Sequence, residues 1–266
     1  MARVLSAEER RAKYSVPAVE KALDVLEYLS EQAVPVTQAQ IARALGRQTG
    51  EIFRMLTCLE LRGYLRRDAD TGGYALTLKL FELSRTHSPY EDLLAAAQPW
   101  MRRLTGEIRE GCHLSVLHRD RVLVLAQEES PRPFRLSVEV GSLHSPLHTT
   151  SGRVLLAQLP TTALEAVLAR VPEWTAEEAA GKAAFLRRLE DLRRRGHERS
   201  EGERFVGTLD LGVPVGSPGS SIGAALTIST LQHKEGPDLD VILPHLLATA
   251  RAIAAEAGLL VREDRR

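Results

Sequence analysis

Between Arg43 and Arg67 six arginines (Arg43, Arg47, Arg54, Arg62, Arg66, Arg67) stand against two acids, Glu51 and Glu60, a local excess of four positive charges. The whole chain of 266 residues has 35 Lys and Arg against 35 Asp and Glu, so these cations are a concentration and not a general character. Guanidinium groups gathered over one helix and its neighbouring ribbon are the electrostatic footprint of duplex binding. Arginine pairs bidentately with guanine and Gln48 suits adenine, whereas arginine against phosphate gives position without sequence information. Arg47, Gln48, Thr49, Gly50, Glu51 and Arg54 form the N-terminal stretch that reaches base edges in a recognition helix. Arg66 and Arg67 follow on the ribbon and suit phosphate or minor-groove contacts. Glu51 repels phosphate and suits the cytosine amino group instead. Any one of these arginines is as readily a solvated side chain; the pattern carries the expectation.

A second group is His148, Thr149, Thr150, Ser151 and Gly152, opening a helix with Val154, Leu155 and Leu156. Free N–H groups at a helix start, joined by hydroxyls, favour a carboxylate or similar anion. The same hydroxyls also serve as plain N-caps, and the residues alone leave both readings open. Catalytic patterns are weaker. Gly219-Ser220-Ser221-Ile222-Gly223 matches the nucleophile elbow, but an elbow needs a helix after it, and strand-like runs flank this one. A hairpin loop is expected there. Cys112, His113, His118, His144 and His148 raise zinc, yet Pro146 breaks the helical spacing of His144 and His148. Neither a metal nor a cofactor is expected. Cys58 and Cys112 suit a reduced compartment.

The elements that must hold these residues follow from periodicity. Val19, Leu23, Leu26 and Leu29 repeat at helical spacing; Thr37 with Gln40 is a capping box opening a short helix that Gly46 ends. A third helix over 48–62 and strands around the turn Asp70-Thr71-Gly72-Gly73 complete a winged helix-turn-helix. The pattern from Leu78 to about Leu104 is helical, broken at Ser88-Pro89. Beyond it, strands are expected at 113–117, 122–126, 134–140, 211–215 and 222–228. Helices are expected at 150–159, 161–169, 175–195 and 244–258, packed on one mixed sheet. Hydrophobic residues at 44% and charged residues at 26% exclude a disordered or collagen-like chain, and the length suggests two domains. No run of residues has the length and apolarity of a membrane helix. Met1–Ser15, with Arg3, Arg10, Arg11 and Lys13 and no apolar core, reads as a flexible arm and not a secretory signal.

From about Val16 to Leu260 the chain resembles the IclR family of bacterial transcription regulators. The resemblance is carried by Val16-Pro17-Ala18-Val19-Glu20-Lys21-Ala22-Leu23-Asp24-Val25-Leu26, by Arg54 to Leu65, and by Pro146-Leu147-His148-Thr149-Thr150-Ser151-Gly152-Arg153-Val154-Leu155-Leu156-Ala157. Gly212-Val213-Pro214-Val215 and the run Gly223 to Ser229 fit in order and spacing. It implies an α+β chain: an arm at 1–15, a winged helix-turn-helix at 16–80, a linker helix region at 81–108 and a GAF-like effector-binding domain at 109–266. It implies a ligand-responsive regulator, repressor or activator, of catabolic genes, not an enzyme. A small effector of carboxylate or aromatic-acid type would control a homodimer, or a dimer of dimers, on a palindromic operator in the cytoplasm, with no membrane partner. By resemblance the effector residues are Ser151, Gly152, Glu203 (within Ser200 to Glu203), Val213, Thr227 and Ser229. Gly50 and Glu51 depart from the hydroxyl residues usual at the start of the recognition helix, and Arg153 replaces the usual lysine. A GAF-domain enzyme carrying a winged helix, and a protein-interaction module, are the alternatives; turnover without DNA, or absence of salt-dependent duplex affinity, would mark them.

Overall fold

The structure, a computed structural model, describes residues 14–86, 90–203, 205–217, 220, 222–232 and 238–259. Residues 1–13 of the expected arm, the Ser88-Pro89 break, and Gly219 and Ser221 of the elbow-like run lie outside the described residues. The chain divides into two compact units, Met1–Ser88 and Pro89–Arg266.

In the first unit, Pro17 at the N-terminus suits α1 (Pro17–Ser30), which buries Val25 and Leu29. The Thr37 N–H donates to Gln40 Oε1 at 2.9 Å and starts α2 (Gln38–Ala44). Gly46, at φ +61°, closes α2 with Arg47 N–H on Ala42 O and Gly46 N–H on Arg43 O, the double bond pattern of a left-handed C-cap. That turn delivers α3 (Thr49–Leu61), which buries Ile52, Leu56 and Leu59 against Val25, Ile41 and Leu65. Strands β1 (Leu65–Arg67) and β2 (Tyr74–Leu76) pair antiparallel as the wing, and α4 (Lys79–Thr86) follows.

The second unit begins with α5 (Glu91–Ile108), then β3 (Cys112–His118), β4 (Arg121–Glu128), β5 (Leu143–His144) and α6 (Thr150–Ala157). Next come α7 (Thr161–Leu168), α8 (Pro172–Ala176), α9 (Ala179–Arg195), β6 (Glu198–Glu201), β7 (Thr208–Val215), β8 (Ala224–Leu231) and α10 (Leu239–Glu256). The sheet runs in the order β5-β4-β3-β8-β7-β6. Each pairing is antiparallel, which corrects the expectation of a mixed sheet: hairpins join β3 to β4, β6 to β7 and β7 to β8. One face packs on α5 and α10 through Leu93, Ala97, Met101, Leu114, Leu211, Val213, Leu226 and Ile253. Trp100 Nε1 on α5 donates to Glu256 Oε2 on α10 at 2.8 Å. The other face packs on α6, α7 and α9 through Val122, Val154, Leu156, Leu164, Leu189 and Leu192.

Three further boundaries differ from expectation. Residues 134–140 form no strand: the Val138 N–H goes to the Gln127 side chain at 2.6 Å instead of to a ladder, after the donor-less Pro131 and Pro133. The helix expected over 175–195 is two, because Pro172 starts α8 and the extended Glu177 and Glu178 separate it from α9. The last helix starts before Pro244, where Asp238 accepts from the Asp240 N–H at 2.9 Å and caps it.

Candidate functional site

In the first unit, Arg43, Arg47, Gln48, Thr49, Gly50, Glu51, Arg54, Arg62, Arg66 and Arg67 are all exposed. Gln48 is the N-cap of α3, and Gln38 Nε2 holds the Thr49 carbonyl at 2.9 Å, fixing the entry to the helix. Two ion pairs tie that entry to α1: Lys21–Glu51 and Arg47–Asp24, each at 3.2 Å. Lys21 therefore relieves the repulsion that a lone Glu51 would exert on phosphate. Among the described residues Arg54 has no ion-pair partner and stands on the face of α3 opposite the buried Ile52 and Leu56. On the wing, Arg67 lies over the Tyr74 ring at 5.6 Å and donates to Gly72 O, whereas Arg66 points away on the opposite strand face.

The second unit contains a cavity of about 340 Å³ on the α6 side of the sheet, within the range of small-ligand sites. Strand register assembles its floor. His113 pairs across β3–β8 with Thr227, Asp210 pairs with Ser229, and Ser200 pairs with Asp210. Thr149, Thr150 and Ser151 enter from the start of α6, Leu136 to Glu139 and Ser142 from the segment after β4, and Glu203 and Phe205 from the β6–β7 turn. A bulge contributes: Leu114 pairs with Ala126 but Ser115 with Val124, so Leu125 is extra. The extra residue re-aims the strand, leaving Val124 on the cavity face and Gln127 against Ser137 and Val138.

A hydrogen-bond chain runs along one wall. Arg153 Nη2 reaches Thr150 Oγ1 at 3.4 Å, Thr150 and Ser200 hydroxyls meet at 2.8 Å, and Ser200 and Ser229 both donate to Asp210. Burial raises the Asp210 pKa, opposed by the bonds from Ser229 and Ser200. Burial, reinforced by His144, lowers the His113 pKa to about 4, so its imidazole is neutral at pH 7. Thr227 is 1% exposed and its hydroxyl has no hydrogen-bond partner among the described residues. Thr149 Oγ1 takes the Gly152 N–H at 3.1 Å, while no partner among the described residues takes the N–H of Thr150 or Ser151. The capping reading thus holds through one hydroxyl, and among the described residues two N–H groups of the same helix start are left without a partner.

Of the effector residues implied by resemblance, Ser151, Glu203, Thr227 and Ser229 line this cavity. Gly152 and Val213 are placed elsewhere, which corrects the expectation. Gly152 packs beneath Pro146, whose carbonyl oxygen would lie 2.4 Å from any Cβ. Val213 faces the α5–α10 core, because on β7 Thr208 and Asp210 point to the cavity and the odd-numbered residues point away. Thr150 belongs to the helix-start group expected to favour an anion, whereas His113 is expected only as a zinc candidate, and Asp210 and the 136–139 segment not as ligand residues at all; alternation along β3 and β7 was the available signal. Of the zinc candidates, Cys112 faces the opposite core with its thiol pushed up to about 12 by burial, and His118 is exposed. Among the described residues no group of three such side chains could hold a metal ion. Among the described residues, β7 and β8 on either side of the elbow-like run pair antiparallel, so a strand follows it where an elbow needs a helix.

Residues 89–255 match the family model described as the C-terminal domain of the bacterial transcriptional regulator IclR, and residues 18–69 match the IclR helix-turn-helix domain. Over 222 residues the chain is 27% identical to the HTH-type transcriptional regulator XynR of Escherichia coli, covering 82% of this chain and 88% of that protein. It is 28% identical over 250 residues to the HTH-type transcriptional regulator KdgR of Dickeya chrysanthemi, covering 92% and 81%. The crystal structure of an IclR homolog from Microbacterium hydrocarbonoxydans, complexed with 4-hydroxybenzoate, shares the fold at a TM-score of 0.75, with 23% identity over 91% of this chain and 99% of that one. Among the described residues no helix is long and apolar enough to cross a membrane. The two family matches together span both units, and the chain belongs to the IclR family of bacterial transcriptional regulators: a ligand-responsive DNA-binding protein rather than an enzyme.

Proposed function

We propose that α3 enters the major groove of a palindromic operator, with Arg54 and Gln48 reading bases and Arg66 and Arg67 on phosphate or in the minor groove. A homodimer or a dimer of dimers supplies the paired recognition helices, in the cytoplasm, next to catabolic genes. The effector is a small carboxylate or aromatic acid held in the second unit. The observation that carries this is the pairing of open donors with an unpartnered hydroxyl in one cavity: the N–H groups of Thr150 and Ser151 at one side and Thr227 Oγ1 in its floor. Helix-start N–H groups favour an anion, and a ligand oxygen or N–H completes the buried hydroxyl. The complex of the Microbacterium relative with 4-hydroxybenzoate supports an acid of that size.

The effector acts by preferring one arrangement of the paired DNA-reading units; equal affinity for both would shift nothing. The test is fluorescence anisotropy of labelled duplex from upstream of the chain's own gene, across a salt series, with a panel of small carboxylates including 4-hydroxybenzoate. Salt-dependent duplex affinity that one carboxylate changes is the expected result. Duplex affinity unmoved by every carboxylate would refute the effector class, and absence of duplex affinity in dilute buffer would refute the operator assignment.

A further inference from the structure

We propose that Arg153 and Arg188 form an anion site at the edge of the cavity for the carboxylate of the effector, with Glu203 the internal carboxylate that the incoming one replaces. It rests on the carboxylate reading of the cavity and adds where the acid docks and what it displaces. Two guanidinium groups converge on Glu203: Arg153 Nη2 lies 2.9 Å from Oε2, and Arg188 Nη2 lies 2.6 Å from Oε1. Such a fork matches the geometry of any carboxylate.

Neither arginine depends on Glu203 for its position. Arg153 and Arg188 donate through Nε to Glu198 Oε1 at 2.8 and 2.6 Å, and Glu198 is 1% exposed. Arg153 also donates Nη1 to Leu147 O at 3.1 Å. Among the described residues Glu203, by contrast, is held by the two arginines alone, and its side chain is 35% exposed. Replacing its carboxylate with another keeps the charge count, and the freed side chain has solvent beside it. Arg195 Nη2 also lies 3.6 Å from Glu198 Oε2, so without a second carboxylate the cations Arg153, Arg188 and Arg195 outnumber Glu198 and the nearby Asp210, which favours anion uptake. Glu203 and Thr150 both line the cavity, and the Thr150 hydroxyl lies 3.4 Å from Arg153 Nη2. The arginines themselves do not line the cavity: they stand one side chain behind its wall, against Glu203 and Thr150, so displacing Glu203 opens them to the cavity beside the start of α6.

The test uses the full chain and Glu203→Gln, titrated in low-chloride buffer with sodium acetate and with inorganic phosphate, read by calorimetry and thermal denaturation. Glu203→Gln is expected to take acetate at least tenfold more tightly than the wild type, and the gain is expected to vanish in Glu203→Gln/Arg188→Gln. Equal acetate affinity in wild type and Glu203→Gln, or a gain that survives Arg188→Gln, would overturn the site. Phosphate preferred over acetate would overturn the carboxylate assignment. Should Glu203→Gln fail to fold, Glu203→Asp serves, because its shorter carboxylate no longer spans both arginines; an affinity equal to wild type then counts against the proposal. Duplex binding and its response to carboxylates by the wild type, measured alongside, separate the two failures: if both persist while the acetate affinities agree, only the arginine site falls.

Discussion

Thr227→Val separates stability from ligand binding in a way few substitutions do. The side chain is 1% exposed, its hydroxyl has no partner among the described residues, and it sits between His113 on β3 and Gly212 on β7. Valine keeps the volume and replaces the hydroxyl with a methyl. In the ligand-free chain this removes a buried unpaired polar group, whose penalty is about 1–3 kcal/mol. Even 1 kcal/mol raises Tm by roughly 2–4 °C for a unit of this size. The same change removes the hydrogen bond proposed between Thr227 and the effector, with a net value of about 0.5–1.5 kcal/mol, so effector affinity is expected to fall about two- to thirteenfold. Scanning calorimetry measures the first effect, titration calorimetry with the carboxylate found in the screen measures the second, and anisotropy checks that effector-free duplex affinity is unchanged. A lower Tm together with unchanged effector affinity would refute the reasoning, since the hydroxyl would then be paired within the protein and irrelevant to the ligand.

Arg54→Ala should weaken operator binding by about 1–3 kcal/mol and relax specificity at one base pair; a loss uniform over all sequences in a competition assay would make it a phosphate contact. Arg153→Met should destabilise the second unit by about 3–5 kcal/mol in urea, because it leaves Glu198 buried with less compensation; a loss below about 1 kcal/mol would mean the network carries little. His113 has a folded pKa of about 4 against 6.5 for the free side chain, so below pH 6.5 the unfolded chain takes up a proton that the folded chain refuses. Stability is therefore lost from pH 6.5 down to about 4, by roughly 3 kcal/mol at 1.36 kcal/mol per pH unit. Thermal melts of His113→Gln should show a shallower acid limb over that window, and an identical limb would remove His113 as its source.

The DNA-reading unit is legible residue by residue because its signals are local. Thr37 with Gln40, Gly46 after α2, and the Asp70–Gly73 turn each act over a few positions, and their hydrogen bonds form accordingly. The 134–140 segment misleads for the converse reason. Its alternation is that of a strand, but a strand needs a partner ladder, and Gln127 on β4 takes its backbone donor instead.

Residue order alone was enough for the concentrated cations, the helix-turn-helix with its wing, the α+β character and the helix start at Thr150, since spacing and capping chemistry act between neighbours. Only the folded sheet decided the cavity: the Thr150–Ser200 and Arg153–Glu198 contacts join residues 50 and 45 positions apart. Which side chains face it depends on strand parity, and a displacement of one residue turns a side chain through the sheet. That is why Asp210 lines the cavity and Val213 lies in the opposite core.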